Sequence, residues 1–229
     1  MVDFTIPDLT AIAARLNEAT LFEVHRSGQT ASEKATGTEM RRLMGDGVPY
    51  VVNNWYASLD PGGSLPVSHS PFFNRIYLSP FIPRQTITVL NVGADISNAV
   101  AASNIQIAIY GSSNANLPTG NALSSTGNIS AATLGSVTAA LGATVTLEAG
   151  KLYWFAVNAD TANANIYGHN SCGLFQMAVG LTTAALGTTA LMSTFFIAQT
   201  FGTWPDLTAA GFTAEQACPR FKFQVASIL

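Results

Sequence analysis

The chain has 229 residues, of which 10 are Lys or Arg and 13 are Asp or Glu, so charged residues make up only 10%. An ordinary soluble domain carries about 25% charged residues. The scarcity of Lys and Arg argues against a nucleic-acid-binding protein, because neutralising phosphates requires clustered positive charge. Apolar residues make up 48%, which argues against disorder. Ser, Thr, Asn and Gly interrupt the apolar runs, so we expect no membrane span. Asp3 and Asp8 flank no apolar stretch, so we also expect no secretory signal.

The charge is distributed unevenly along the chain. More than half of the charged residues lie in residues 1–48, and none lies in residues 96–147 or 161–205. This step predicts a domain boundary near residue 48. Residues 1–48 are predicted to form a helix capped by Asp8, two short strands joined by a turn at Gly28, and a second helix that begins at the capping pair Thr36 and Glu39. The apolar sides of these helices supply the candidate anchoring residues, which are Leu9, Ile12, Leu16, Met40 and Leu43.

A segment shorter than fifty residues has a marginal core of its own. We therefore expect residues 1–48 to be an anchoring or oligomerisation segment that packs on itself in an oligomer or on a larger assembly. The alternative is a helical extension packed on the main domain of the same chain. Residues 49–74 are predicted to be a connector, because they are rich in Pro and turn residues. Aromatic residues such as Trp55 and Phe72 indicate that this connector lies against other surfaces.

Residues 75–229 are predicted to form an antiparallel β-sandwich or jelly roll, so that the chain is mainly β with a small N-terminal α+β segment. Short strands alternate with turns, and no long amphipathic helix separates them. Ile105, Ile107 and Ile109 alternate with less apolar residues, as in a strand with one buried face. Turns are predicted at residues 111–114, 117–120 and 148–150. The predicted strands cover residues 75–79, 85–91, 104–110, 144–147, 152–158, 174–179, 191–198 and 220–226.

The order of these features resembles the β-sandwich domains of bacteriophage tail, fibre and head-fibre proteins. The resemblance rests on IQIAIY at residues 105–110, LPTG at 117–120, LEAGKLYW at 147–154, and WPDL at 204–207, with PRF at 219–221 leading the last strand. The front segment, with LFEV at 21–24, SEKAT at 32–36 and EMRRL at 39–43, resembles the short anchoring modules at the start of many phage tail proteins. Together the two resemblances imply a virion protein with an attachment module and a display module, often trimeric.

The sequence gives little indication of a catalytic site. We therefore predict a protein without enzymatic activity, cofactor or metal. His169 and Cys172 could form a dyad in which the imidazole activates the thiol. The alternative, which we favour, is a polar loop in which Cys172 is a small buried group. Glycoside hydrolysis requires paired carboxylates, and no spacing suggests such a pair among the acidic residues beyond position 75, which are Asp95, Glu148, Asp160, Asp206 and Glu215.

An uncharged polar stretch is the better candidate for binding. Glycan sites combine an aromatic face with hydrogen-bonding side chains and need no charge, and residues 163–170 offer this mixture in a predicted loop. Trp204, in the turn GTWP, could supply a further stacking face; alternatively it caps the sandwich core, and the Asn residues only form turns. Tyr153 and Trp154, in the middle of a strand, are predicted to serve core or subunit packing. The candidate glycan-binding residues are Asn163, Asn165, Tyr167, His169, Asn170 and Trp204.

These observations predict a phage virion protein of the tail or head fibre or spike type, made in the host cytoplasm. Residues 1–48 would bind other virion proteins, and the sandwich would bind a host-surface glycan, with no nucleic-acid partner and no membrane insertion. The low charge also predicts a homotrimer, because a monomer of this composition would risk exposed apolar patches. The alternative is a purely structural tail-tip, baseplate or head-decoration component without a receptor.

Overall fold

The computed structural model describes residues 21–24, 33–36, 49–57, 67–69, 74–169, 194–215 and 218–229. The chain divides into two compact units, Met1–Pro49 and Tyr50–Leu229. In the first unit, β1 (Leu21–Val24) and β2 (Glu33–Thr36) pair antiparallel. The two predicted helices of this unit lie outside the described residues, and so do all five candidate anchoring residues.

The described part of the second unit contains β-strands and no α-helix. The strands are β3 (Trp55–Ala57), β4 (Val67–His69), β5 (Arg75–Phe81), β6 (Ile87–Asn98), β7 (Asn104–Ser112), β8 (Pro118–Ser125), β9 (Ile129–Ser130), β10 (Gly135–Leu147), β11 (Tyr153–Ala159), β12 (Asn165–His169), β13 (Thr194–Ala198), β14 (Thr213–Glu215), β15 (Cys218–Pro219) and β16 (Lys222–Ile228).

These strands form two antiparallel sheets, as the predicted sandwich requires. The first sheet is built around β6, which pairs with β10 along one edge and with β16 and then β12 along the other. Strand β3 pairs with β16, while β4 and β15 pair with β12. The second sheet has the order β14-β13-β5-β11-β7-β8, and β9 also pairs with β7. The chain crosses from one sheet to the other several times, for example from β5 to β6 and from β6 to β7.

One hydrophobic core lies between the two sheets. Strand alternation points every second side chain of a strand to the same face, and Ile105, Ile107 and Ile109 of β7 all lie in this core. The rings of the two sheets meet there: the Phe223 ring centroid is 4.9 Å from that of Phe81 and 6.0 Å from that of Phe155. The paired isoleucines and phenylalanines therefore hold the sheets face to face.

A second hydrophobic cluster lies on the outer side of the second sheet. It contains Tyr110 and Trp154, whose strand neighbours face the core between the sheets. The chain after β13 covers these side chains with Trp204, Leu207 and other residues. Because both of its faces are covered, β11 is buried at every position. The prediction that Tyr153 and Trp154 serve packing is therefore confirmed.

The predicted strands with strong apolar alternation are found. Strands β5, β6, β7, β11, β13 and β16 overlap the predicted segments, and the turn at 148–150 is present, with Gly150 at φ 74°. The predicted strand at 144–147 is only the end of the thirteen-residue β10. The predicted strand at 174–179 lies outside the described residues.

Other elements differ from the sequence-based expectations. Most of the predicted turn at 117–120 belongs to β8. The chain reverses just before this strand, between Ser113 and Leu117, where the Ser113 N–H donates to the Leu117 carbonyl oxygen (2.8 Å). Within the predicted connector, β3 and β4 are strands of the first sheet. Tyr50 lies in the core, and its N–H donates to Gln85 Oε1 (2.8 Å). The sandwich unit therefore begins at residue 50 rather than at residue 75.

Candidate functional site

The outer face of the first sheet differs from that of the second because polar side chains occupy it. Ile96, Ile166 and Phe223 point into the core between the sheets. Their strand neighbours, among them Ser97, Asn165 and Gln224, therefore point outward. This surface is called the outer face below.

One end of the outer face is a corner of uncharged side chains around β12, called the β12 corner. Asn165 Nδ2 donates to Ser68 Oγ (3.0 Å), and Ser68 Oγ shares a hydrogen bond with Ser97 Oγ (2.9 Å). Asn98 Nδ2 donates to the carbonyl oxygen of Asn163 (2.7 Å). These hydrogen bonds join three segments of the chain that are far apart in sequence. The members of the β12 corner are Ser68, Ser97, Asn98, Asn163, Asn165 and Tyr167.

Tyr167 is the aromatic residue of this corner. Its side chain is 39% exposed, and its backbone lies opposite Ser68 of β4. On the other side, the N–H of Arg220 donates to the Tyr167 carbonyl oxygen (3.1 Å). The half-buried Arg220 thus lies beside Tyr167, a neighbour that sequence reasoning missed because the two positions are 53 residues apart. An exposed ring amid amide and hydroxyl groups can stack on a sugar while its neighbours exchange hydrogen bonds with hydroxyls.

The structure brings together only part of the predicted site. Asn163, Asn165 and Tyr167 do share the β12 corner, but residues 165–169 form strand β12 and not the predicted loop. The backbone of His169 belongs to this strand, where it pairs with Cys218. The His169 side chain and the whole of Asn170 lie outside what the structure describes.

Trp204 lies apart from the other candidates. It is half-buried and packs on the cluster that covers the second sheet, with its ring centroid 6.3 Å from that of Tyr110. The β12 corner belongs to the outer face of the first sheet, so the two regions lie on opposite faces of the sandwich. In the described structure Trp204 contacts the cluster as the capping alternative anticipates.

Hydrogen bonds fix the turn that carries Trp204. The Tyr110 hydroxyl donates to the Pro205 carbonyl oxygen (3.0 Å). Burial raises the pKa of Tyr110, and the nearby Asp206 carboxylate raises it further. The Thr208 hydroxyl and N–H both donate to Asp206, which lowers the pKa of that carboxyl. The turn is therefore a rigid cover for the second sheet.

A second exposed aromatic ring, Trp55, stands at the other end of the outer face. Trp55 of β3 is 40% exposed and lies opposite Gln224 of β16. Asn91 Nδ2 donates to Gln224 Oε1 (2.9 Å), and Gln224 Nε2 donates to the Asn53 carbonyl oxygen (2.8 Å). Trp55 falls within the predicted connector, residues 49–74. The alternation of Trp55 with the inward Tyr56 is the signal that could have identified the strand.

A charge pair occupies the middle of the outer face. Lys222 Nζ lies 2.5 Å from Asp95 Oδ1 and also donates to Ser136 Oγ, so its side chain reaches across β6 to β10. It crosses at Gly93, where an added Cβ would lie 3.1 Å from Lys222 Cε. Gly93 thus allows the lysine stem to lie flat on the sheet, and the pair neutralises its own charge.

The remaining residues that could bind a metal or act as nucleophiles form no metal site in the described ranges. Within them, no group of three or more His, Cys, Asp or Glu side chains is arranged to hold a metal ion. Cys218 is buried, with its sulfur 2.5 Å from Thr194 Oγ1. Cys172, the other member of the considered dyad, is not among the described residues. No helix in the described ranges is long and apolar enough to cross a membrane.

Comparison with known proteins gives no family for this chain. No protein-family model matches it, and a search of curated proteins found no similar sequence.

Proposed function

We propose that this protein is a non-enzymatic, multimeric display protein of a phage particle, and that its sandwich binds a host-surface glycan through the β12 corner. The observation that carries the proposal is the hydrogen-bonded surface of amide and hydroxyl groups around the exposed ring of Tyr167, with the half-buried Arg220 beside it. The resemblance of the sequence motifs to phage fibre proteins supports the virion setting.

The β12 corner suits a weakly interacting polar ligand because it is already ordered. The side chains of Ser68, Ser97 and Asn165 hold one another in place, so little rotamer entropy is lost on binding. The corner stands on paired strands, which place functional groups more accurately than loops do. Sugar hydroxyls and the Tyr167 ring complement each other without any need for charge.

The multimer is supported by β10. This strand has thirteen residues without a charged side chain and is exposed at most of them. It pairs with β6 along one edge, and along the other edge its one bridge in the described part of the chain joins Leu141 to Thr126. Long, uncharged and exposed edges invite pairing with another chain. A homotrimer would cover this edge and multiply weak binding by avidity.

The remaining parts of the proposal concern assembly. Residues 1–48, as a helix, two strands and a helix, attach the protein to other virion proteins, and the sandwich has a jelly-roll-like connection of its strands. The protein is then made in the host cytoplasm and resides in the virion. Light scattering of the purified full chain tests the assembly: a trimer mass is expected, and a stable monomer contradicts it.

The binding experiment uses the purified full chain on immobilised envelope fractions from a panel of bacterial strains. The wild-type protein should bind the fractions of its host, and Tyr167→Ala should weaken binding by about tenfold, the loss of roughly 1.4 kcal/mol of stacking. Leu123→Ala is the control, since Leu123 is 48% exposed on β8 of the second sheet. Binding unaffected by Tyr167→Ala, or no binding to any fraction, contradicts the proposal and favours the purely structural component.

A further inference from the structure

We infer that the glycan site is an extended platform that runs along the outer face from Tyr167 to Trp55, and that its ligand is a linear oligosaccharide bound side-on. This inference rests on the proposed glycan binding and adds the second aromatic subsite and the shape of the ligand.

The two rings share one face of one sheet. Trp55 pairs with Gln224, and Gln224 pairs with Asn91 of β6. Ile166, the neighbour of Tyr167, pairs with Ile96 of β6. Both rings therefore lie on the same side of β6, while their strand neighbours Tyr56 and Ile166 contact the core between the sheets.

Strand geometry gives the separation of the two subsites. The pairings place Trp55 and Tyr167 about four residues apart along β6, which is about 13 Å at roughly 3.3 Å per residue. They differ sideways by one strand spacing of about 4.8 Å. This distance exceeds one sugar ring and suits a short oligosaccharide, so a single ring cannot contact both aromatic side chains.

Lys222 of β16 lies between the rings, opposite Gly93 of β6. Its stem crosses Gly93 toward Asp95 and Ser136, away from both rings. The described outer face thus offers an open surface where a chain can lie along the sheet, rather than a closed pocket for one terminal sugar. The exposed part of the Asp95 side chain, 42%, leaves carboxylate available as an acceptor for a sugar hydroxyl at the Tyr167 end of the platform.

Fixed amide groups surround Trp55 as they do Tyr167. Gln224 is held by Asn91 on one side and by the Asn53 carbonyl on the other. Each end of the platform therefore combines one exposed ring with ordered hydrogen-bonding side chains, which is the combination that carries the proposal at the β12 corner.

The test measures how affinity depends on ligand length. The best-bound envelope polysaccharide is partially hydrolysed and size-fractionated, and each fraction is titrated into the full chain by calorimetry. For the wild type, affinity per site should rise once the oligosaccharide spans both rings. Trp55→Ala should remove that rise, a loss of about five- to tenfold for long fragments, and leave the shortest bound fragments unaffected.

Trp55→Phe and Leu123→Ala serve as controls. Trp55→Phe keeps a stacking ring and should retain most of the rise, and Leu123→Ala should retain all of it. The inference is overturned if Trp55→Ala shows the wild-type dependence on length. In that case the proposed function stands, provided that Tyr167→Ala still weakens binding. If the wild type binds no fragment and no intact polysaccharide, the proposed function itself fails.

Discussion

The two sheets of the sandwich share one core but differ on their outer sides. On the second sheet, the outward side chains of Tyr110, Trp154 and Ile197 are buried under the chain that follows β13. On the first sheet, the corresponding positions hold hydrogen-bonded polar groups such as Asn91 and Gln224, and they remain accessible. Among the described residues, the outer side of the second sheet is therefore covered, whereas the polar groups on the outer side of the first sheet stay partly exposed.

This difference explains where the few charges of the sandwich can be tolerated. An ionised group is expensive to bury without a partner. Lys222 and Asp95 lie on the outer face of the first sheet, where each neutralises the other and solvent reaches the pair. The described outward positions of β11, by contrast, hold Trp154, Ala156 and Asn158, none of them charged. The charged pair therefore lies on the accessible sheet face, and the covered face of β11 holds no charged side chain.

The largest expected effect comes from the covered sheet. Trp154 is fully buried, its ring centroid lies 5.4 Å from that of Phe195, and its Nε1–H has no hydrogen-bond partner among the described residues. Trp154→Ala should lower the free energy of unfolding by about 3–5 kcal/mol through lost packing. Trp55→Ala, which truncates the exposed ring of the first sheet, should cost less than about 1 kcal/mol. Denaturant titration of the full chain measures both, and equal losses would contradict the contrast between the sheets.

A smaller effect is expected at the crossing of Lys222 and β6. A Cβ at Gly93 would collide with the Val137 carbonyl oxygen and lie 2.9 Å from Thr138 Cγ2. Gly93→Ala should therefore destabilise the protein by about 1–3 kcal/mol through overpacking. Gly111→Ala is the matched control, since Gly111 lies in β7 and no atom of the described residues lies within 4 Å of an added Cβ there. The explanation fails if both variants unfold at the same denaturant concentration.

Burial of Tyr110 under the cover of the second sheet makes the free energy of unfolding fall at alkaline pH. Burial raises the pKa of Tyr110 above the value of about 10 that it has in the unfolded chain. The neutral phenol thus stabilises the fold fully below about pH 10, and this contribution is lost as the pH rises further. Tyr110→Phe removes the hydrogen bond to Pro205, which should cost about 1 kcal/mol at neutral pH.

The Tyr110→Phe variant should also show a shallower fall in unfolding free energy above pH 10. Part of the slope will remain, because burial raises the pKa of Tyr50 as well. Urea titrations at a series of alkaline pH values compare the variant with the wild type. Parallel curves for the two proteins would mean that Tyr110 does not contribute to the alkaline loss.

Sequence patterns could predict the strands that carry large alternating side chains. Strand β7 has isoleucine at every second position from 105 to 109, and β16 alternates Phe223 and Val225 with polar or small residues. This period-two signal identifies both strands without tertiary information. Strand β10 consists mainly of Ala, Thr, Gly and Val. Its inward side chains include Leu141, Val145 and Leu147, but the middle of the strand, residues 139–143, has Ala or Gly at four of five positions. The contrast between the two faces is therefore weak there. Strand β8 begins at Pro118 and contains Gly120 at φ 72°, residue types that indicate a turn.

The candidate site could be predicted only in part for a similar reason. Asn163, Asn165 and Tyr167 are close in sequence and could be identified together. Ser68, Ser97 and Arg220 reach them through strand pairings that span long stretches of chain. Trp204 could not be assigned from the sequence, because an aromatic residue before Pro in a turn suits both a cover and a binding face.

The most direct test of the central claim compares the two sheets in one binding assay. Wild type, Tyr167→Ala and Trp204→Ala are purified as full chains, checked for folding and titrated with the same host envelope polysaccharide. Loss of binding in Tyr167→Ala, with wild-type affinity retained by a less stable Trp204→Ala, is the predicted result. Full affinity in folded Tyr167→Ala together with loss in folded Trp204→Ala would contradict the account and place the ligand on the second sheet.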